Sequence, residues 1–439
     1  MSNIKFIDLF AGIGGIRKGF EQACNIYGYS SECVFTSEIK ESAIKILKQN
    51  HPNETINGDI TKIDPKEIPD FDILLGGFPC QAFSSAGKRQ GFNDTRGTLF
   101  FNVANILKIK KPKGFILENV EGLVNHDKAS APKNSKIGNT LSVILSTLNE
   151  LGYKVCWKVL NAKDYGVPQN RKRIYIIGTL YSKPTLDDLE TSKTLLKDIL
   201  LKGLPAKKTK FTNKLIKEYG LNNLPGKKCK DKRGGTGNIH SWDLELKGKL
   251  NTRQKKLLNT MMTERRKKKW AAMWSIDWMD GMPLSLEMIK TFINYSLLEK
   301  DLNYCVEKKY LTLEHPKKLV KDPNGATHRE EDTTKPLGYN IVSGKMSFEV
   351  NEILDPNGIA PTLVAMDMSH IYVVDGDGIR PISLREGLRL FGYPEDFKFN
   401  IGESEGYDLL GNTVVVPVIE KVAERMLDCL KDRISCQLK

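Results

Sequence analysis

"IKFIDLFAGIGG", residues 4–15, is an apolar run that breaks into Gly12, Gly14 and Gly15 just before a helix-like segment, "IRKGFEQACNIYG". Glycines at such a junction let backbone approach a ligand closely, and the helix N-terminus behind them carries partial positive charge. The spacing is not the GxGxxG dinucleotide fingerprint, and a glycine loop alone serves a tight turn as readily as a ligand.

Working outward from this junction, the same alternation continues to about residue 179. "ECVFTSEI", "ETINGDI", "FDILLGG", "GFILENV", "YKVCWKVLNA" and "RIYIIGT" are further strand candidates. "SAIKILKQN", "LFFNVANILKIKK" and "NTLSVILSTLNELG" have helical spacing of apolar residues. Strand and helix in succession predict an α/β fold, a doubly wound, mostly parallel sheet covered on both faces. Ligands of such sheets bind at the carboxyl ends of the strands.

The unusual residues sit at those ends. Glu38 follows the second strand, where a carboxylate suits ribose hydroxyls, and Asp59 follows the third, where it suits an adenine amine. Each acid alone also reads as a cap or a surface charge; with the glycine loop they outline a nucleoside pocket. The fourth strand runs into "GGFPCQAFSSAGKRQGF", residues 76–92, whose Cys80 stands between Pro79 and Gln81. A cysteine there is poorly placed for packing and well placed as a nucleophile. Glu118, in "ENV", ends the fifth strand and can act as a proton donor if burial raises its pKa. A Cys–His protease dyad is excluded, because none of the six histidines lies in a strand-end motif. In "YGVPQNRKRIYIIG", Gln169, Arg171 and Arg173 offer polar groups, and period-two spacing predicts both arginines on one side of an extended segment, suited to phosphate or carbonyl oxygens.

The chain has 439 residues, enough for two domains, with 40% hydrophobic and 27% charged content. No stretch approaches the roughly 18 apolar residues of a membrane helix, and no signal peptide is expected. The eight cysteines lack CxxC or Cys/His metal spacing, so reduced thiols and no metal are expected. The net charge of +14 is uneven: residues 202–233 carry eleven Lys/Arg against two acids and residues 251–270 eight against one, leaving the rest near neutral. Such runs are often solvated faces, but their clustering points to a polyanion such as DNA.

In order and spacing, "DLFAGIGG", "GDI", "GGFPCQAFS", "GTLFF", "ENV", "QNRKR", "RPISLREGLRLFGYP" and "LLGNTVVVPV" resemble the motifs of DNA cytosine-5 methyltransferases of the bacterial or phage modification type. The resemblance covers residues 4–180 and 358–430. It implies a Rossmann-like S-adenosylmethionine-dependent methyltransferase fold with a second, smaller DNA-recognition domain. The expected division is 1–180 catalytic and cofactor-binding, 181–357 variable target recognition, 358–410 end of recognition and hinge, and 411–439 a C-terminal helix returning to the catalytic domain.

What the resemblance implies for the site is specific. Cys80 would add to carbon 6 of a flipped cytosine, Glu118 would assist at N3, and Arg173 and Arg171 would position the carbonyl side and the catalytic loop. S-adenosyl-L-methionine, leaving as S-adenosyl-L-homocysteine, would lie among Phe10, Ala11, Gly12, Ile13, Gly14, Gly15, Glu38, Ile39, Asp59, Ile60, Pro79, Leu99, Asn412 and Val414. Gln81, Ser84, Ser85, Lys88, Arg89, Gln169, Arg265, Arg266, Lys267 and Thr362 would contact DNA, with "SSAGKRQGFNDTRG" as a lid hinged at Gly87, Gly91 and Gly97. Ile39 stands where several members carry an aromatic ring, so stacking on adenine is expected to be weaker or to be supplied by Phe10, and Thr413 stands where serine or alanine is common. The expected partners are double-stranded DNA and a cognate restriction endonuclease without a stable complex. A cytoplasmic monomer, in a bacterial or phage-infected cell, is expected. Methylation of tRNA cytosine and a catalytically silent DNA-binding regulator are the alternatives.

Overall fold

The computed structural model describes residues 3–78, 99–130, 135–231, 237–276, 281–321, 327–342 and 348–435. The chain divides into two compact units. The first comprises Met1–Leu201, Pro356–Ser369 and Ile382–Lys439; the second comprises Lys202–Asp355 and His370–Pro381. Most of the 358–410 stretch, expected to finish the recognition region, is therefore part of the first unit, and the second begins at 202 rather than 181.

The first unit is built on seven strands: β1 (Asn3–Leu9), β2 (Ser30–Ser37), β3 (Ile56–Asn57), β4 (Ile73–Gly76), β5 (Gly114–Val120), β6 (Lys154–Asn161) and β7 (Lys172–Thr179). Their order is β3-β2-β1-β4-β5-β7-β6. All neighbours run parallel except β7, which is antiparallel to both β5 and β6. The chain winds outward from β1 to β3 and then resumes at β4 on the other side of β1. The switch point thus lies between β1 and β4, where the loops after them part and leave room for a ligand.

Helices α1 (Gly15–Ile26), α2 (Glu41–Asn50), α3 (Leu99–Lys110) and α4 (Asn139–Glu150) fill the connections. One face of the sheet packs Ile7, Leu9, Leu74, Phe115 and Leu117 against Phe100, Leu107, Leu141 and Ile144. The other face meets α1 and the helix Val416–Asp428, and glycine makes their close approach feasible: a Cβ added to Gly19 would sit 2.6 Å from Ile419 Cβ and 2.7 Å from the Val416 carbonyl oxygen. The helix Val416–Asp428 carries Pro417 in its first turn, where a missing N–H costs nothing, and its apolar stripe is fully buried.

The second unit, by itself, contains a five-stranded mixed sheet and two antiparallel strand pairs. It holds two cores. One gathers Trp242, Leu257, Met261, Trp270 and Tyr310 around the helix Thr252–Glu264, and the other gathers Leu215, Ile239, Val350, Tyr372 and Ile379 on the mixed sheet. No helix among the described residues is long and apolar enough to cross a membrane.

Candidate active site

The junction after β1 is held in an unusual backbone path. Phe10 has φ 56°, Gly12 56° and Gly14 83°. The left-handed region is costly for a bulky side chain, on the order of 1–3 kcal/mol, so the turn is over-determined by its hydrogen bonds. Gly14 N–H donates to the Ala11 carbonyl (2.8 Å) and Ala11 N–H to that of Ser37 (3.1 Å). The third anchor is Glu38: its Oε2 accepts from Gly12 N–H (2.7 Å), and its Oε1 accepts from Ile39 N–H (2.9 Å) and Lys40 N–H (2.8 Å).

A cavity of about 520 Å³ opens at this point. Of the expected cofactor residues, Phe10, Gly12, Ile13, Glu38, Ile39, Asp59, Ile60, Leu99 and Asn412 line it, joined by Gly77 and Thr413. Ile39 is 71% exposed on its rim, an apolar side chain left largely uncovered among the described residues. Lys40 and Asp408 form an ion pair that ties the β2 side to the helix Glu403–Asn412.

Three expected cofactor residues lie behind the lining. Ala11 is buried within the turn, and Gly15 and Val414 pack on each other, since a Cβ at Gly15 would fall 2.7 Å from Val414 Cγ2. Gly14 borders a separate, smaller hollow with Lys18 and Asp396. Thr413, one residue before Val414, takes the lining place, and its hydroxyl meets that of Tyr393 at 2.7 Å.

Acceptor capacity decides what the cavity can hold. Ionised Glu38 has about four lone-pair sites and spends three on backbone N–H groups, leaving Oε2 room for one hydroxyl. Asp59 accepts from Thr61 N–H (3.0 Å) and Thr61 Oγ1 (2.8 Å), both at Oδ1, and these bonds hold its carboxyl below the usual range. Its Oδ2 stays available to an amine. Phe10, Ile39 and Ile60 supply apolar surface for a flat ring between these two acids.

Glu118 lies at the end of β5, buried, with its Oε1 3.1 Å from Arg173 Nε. The register explains the pair. Val120 is opposite Arg173 and Glu118 opposite Tyr175, so Arg173 is the diagonal neighbour of Glu118 on the same face. Burial raises the Glu118 pKa, opposed first by Arg173 and then by Arg171. Its Oε2 faces Gly77, 3.7 Å from where a Cβ there would stand. Three residues beyond Gly77 the chain reaches Cys80. Pro79, Cys80, Gln81, Ser84, Ser85, Lys88, Arg89 and the expected lid lie outside the described residues.

Three expected contacts have other work. Arg171 precedes β7 and does not share Arg173's partner. Its guanidinium donates to the carbonyl oxygens of Leu363 (2.8 Å), Thr413 (2.8 Å) and Gly411 (3.2 Å), and stacks 5.1 Å from the Phe391 ring centroid. Gln169, expected at DNA, is fully buried; its amide donates to the Leu390 carbonyl (2.9 Å) and accepts from Leu363 N–H (3.5 Å). Arg265 is only 5% exposed, packed where the helix Thr252–Glu264 ends. Arg266 is half-buried and Lys267 exposed, the latter paired with Glu264 at 2.6 Å. Thr362 is exposed, its hydroxyl donating to the Asn170 carbonyl (2.6 Å).

Asp8 is not among the residues the sequence motifs single out, although "IKFIDLF" puts it on the same strand face as Ile4 and Phe6. It is fully buried, neither carboxylate oxygen has a hydrogen-bond partner among the described residues, and burial, only partly countered by Arg17, pushes its pKa up to about 8. The folded state therefore binds a proton that the unfolded chain releases near pH 4, so the Asp8 contribution to stability is fullest below that pH and declines as pH rises toward 8. Asp8→Asn should remove this slope. Thermal unfolding of the two proteins from pH 5 to 9 should diverge by roughly 2 °C or more at the alkaline end, with the variant higher; parallel profiles would mean that Asp8 is ionised and partnered.

Among the described residues no group of three or more His, Cys, Asp or Glu could hold a metal ion. A model of the family described as C-5 cytosine-specific DNA methylase matches residues 4–428. The chain is 60% identical over 430 residues to the Type II methyltransferase M.NlaIV of Neisseria lactamica, covering 98% of this chain and 100% of that protein. It is 41% identical over 461 residues to the Type II methyltransferase M.BanI of Aneurinibacillus aneurinilyticus, covering 99% and 98%. The structure of Entamoeba histolytica methyltransferase EhMeth superposes with a TM-score of 0.52 at 15% identity over 98% of this chain and 99% of that one, a likeness of fold alone. With the strand-end acids, the glycine turn and the nucleoside-sized cavity in one place, these matches show that the chain belongs to the C-5 cytosine-specific DNA methylase family, whose members place a methyl group on carbon 5 of cytosine in DNA.

Proposed function

We propose that this enzyme methylates a flipped-out cytosine within a specific double-stranded DNA sequence, through a covalent bond between Cys80 and carbon 6, as the modification half of a restriction-modification system. The observation that carries the reading is the buried Glu118–Arg173 pair, set at the sheet's carboxyl edge opposite Gly77 and next to the cavity after β1.

The family implies a methyl donor of the S-adenosylmethionine type, and the residues fit S-adenosylmethionine itself. Glu38 Oε2 would take a ribose hydroxyl, Asp59 Oδ2 the adenine amine, Phe10 and Ile39 the faces of the ring, and Asn412 and Thr413 the far wall. When bound, the cofactor supplies an electrophilic methyl group on sulfur.

Carbon 5 of cytosine is too weak a nucleophile to take that methyl unaided. The Cys80 thiolate adds to carbon 6, and the displaced electron pair moves onto carbon 5 and the N3–C4 system. Protonated Glu118 donates to N3 as the ring gains charge, and Arg173 holds the Glu118 carboxyl in place. After carbon 5 is methylated, its proton leaves to a base and the returning electron pair expels Cys80. Burial pushes the thiols of Cys24, Cys33, Cys229 and Cys305 up to about 12, so these described cysteines are poor nucleophiles at neutral pH. The target base must leave the helical stack to reach Cys80, at a cost of a few kcal/mol.

The protein is expected to act as a cytoplasmic monomer without a stable complex with a nuclease. Family and relatives favour DNA over tRNA as the substrate and an active enzyme over a silent regulator. Bisulfite sequencing of DNA from cells expressing the protein should show one protected cytosine in a recurring short motif. Complete conversion at every cytosine would overturn the reading.

A further inference from the structure

The cavity after β1 draws two of its walls from opposite ends of the chain. One is the segment from Ser37 to Lys40 that leads into α2; the other is the helix Glu403–Asn412, which supplies Leu409 and Asn412. Two sets of polar contacts join α2 to the stretch that ends in this helix, and they differ in kind.

At the far end of α2 the join is neutral and reciprocal. Gln49 donates to the Asn400 carbonyl (2.9 Å) and accepts from Asn400 N–H (2.9 Å); Asn50 donates to the Lys398 carbonyl (2.9 Å) and accepts from Lys398 N–H (3.0 Å). These groups carry no net charge for salt to screen. At the near end, about 14 Å away along the helix, the join is the ion pair between Lys40 and Asp408. Their side chains are 41% and 43% exposed, so this pair meets solvent and screening ions directly.

Its own helix does not call for a cation at Lys40, which stands just before the first turn of α2, where the helix dipole disfavours positive charge. The Lys40 N–H donates to Glu38 Oε1 (2.8 Å), on the carboxylate proposed for the ribose, and Lys40 itself lines the cavity. Asp408 is tied to the opposite wall: Asn412 Nδ2 donates to its backbone oxygen (2.8 Å) and to its Oδ1 (3.3 Å). One exposed ion pair thus links the supports of Glu38 and Asn412, which face the donor from either side.

We propose that the Lys40–Asp408 pair is the latch of the donor cavity. S-adenosylmethionine enters and S-adenosylhomocysteine leaves when the pair breaks, while the amide contacts at the far end of α2 stay made. The proposal rests on the donor-binding reading above and adds the step that controls exchange. Lys40 and Asp408 are positioning residues, and the strength of their pair sets how long donor and product remain. An exposed ion pair of this kind changes an equilibrium by at most about fivefold, which bounds the effect.

The test measures the dissociation rate of S-adenosylhomocysteine from the full chain by stopped flow, between about 50 and 500 mM sodium chloride. This ligand has no net charge near neutral pH, so screening of the ligand itself contributes little. Lys40→Met keeps the stem without the charge, Asp408→Asn keeps an oxygen for Asn412 Nδ2, and Lys40→Glu/Asp408→Lys exchanges the charges. Wild-type release should quicken about threefold as salt rises. Each single variant should release the ligand about three- to fivefold faster at low salt and lose the salt response. The exchanged pair should recover slow, salt-sensitive release, which a merely structural role would not restore. Single variants with the wild-type rate and salt response would overturn the latch, and so would a folded exchange variant that releases as fast as the single ones. If the exchange variant does not fold, the salt response of Asp408→Asn decides alone. A wild-type protein that binds no S-adenosylhomocysteine would fail earlier, at the donor reading.

Discussion

Replacing Cys80 with serine is expected to stop methyl transfer, by roughly 10⁴ or more, while affinity for S-adenosylhomocysteine and for duplex DNA stays within about twofold. Sulfur and oxygen differ little in size, so binding is spared. Their acidities differ greatly: a thiol gives a useful anionic fraction near neutral pH and an alcohol gives almost none. Carbon 6 would then lack the Cys80 thiolate, and Cys24, Cys33, Cys229 and Cys305, held as thiols by burial, are not substitutes for it. Single-turnover transfer of labelled methyl to a duplex carrying the recognised motif measures the loss. Turnover within tenfold of wild type would refute the covalent route.

Glu118→Gln should retain substrate binding and slow transfer by about 10² or more, the usual scale for a lost general acid. Its pH signature is more telling. Burial raises the Glu118 pKa against the pull of Arg173 and Arg171, so the carboxyl keeps its proton to higher pH than an exposed glutamate and loses it as pH rises. The wild-type single-turnover profile should therefore climb as the Cys80 thiolate forms and fall on the alkaline side as Glu118 ionises. Glutamine cannot ionise, so the alkaline limb should flatten in the variant. The same group lends folding stability at low pH that disappears as pH passes its folded-state pKa, and the glutamine protein should lack that slope as well. A limb that persists unchanged in the variant would assign N3 protonation to another donor.

The sequence is most legible where periodicity and strand-end position act together. All seven strands of the first sheet coincide with the apolar runs between residues 4 and 179, and Glu38, Asp59 and Glu118 stand at the ends where a doubly wound sheet gathers its ligands. What fails there fails for local reasons. The period-two reading of "QNRKR" presumes that the strand has already begun, but β7 starts at Lys172, so Arg171 and Arg173 take different partners.

Gln169 reads in sequence as a polar group without an internal use, whereas tertiary packing supplies partners from residues 363 and 390, distant along the chain. Arg265 belongs at once to a basic run and to the last turn of an amphipathic helix, and the helix claims it. Asp8 is visible in principle, as a charge on the buried face of a strand. The middle region stays opaque because its strands are two to five residues long, too short for alternation to register.

The Arg171 contacts have a bearing on biosynthesis. The cavity after β1 obtains its far wall from Asn412 and Thr413, Arg171 grips the carbonyls of Leu363, Gly411 and Thr413, and α1 is covered by the helix Val416–Asp428. A ribosome adding about 5–20 residues per second needs roughly 18–71 s to pass from residue 59 to residue 413, and through that interval the glycine turn, Glu38 and Asp59 are made while the chamber they belong to stands open. An enclosed cavity after β1 is therefore completed late in translation, and a prematurely terminated chain carries Cys80 and Glu118 without its far wall.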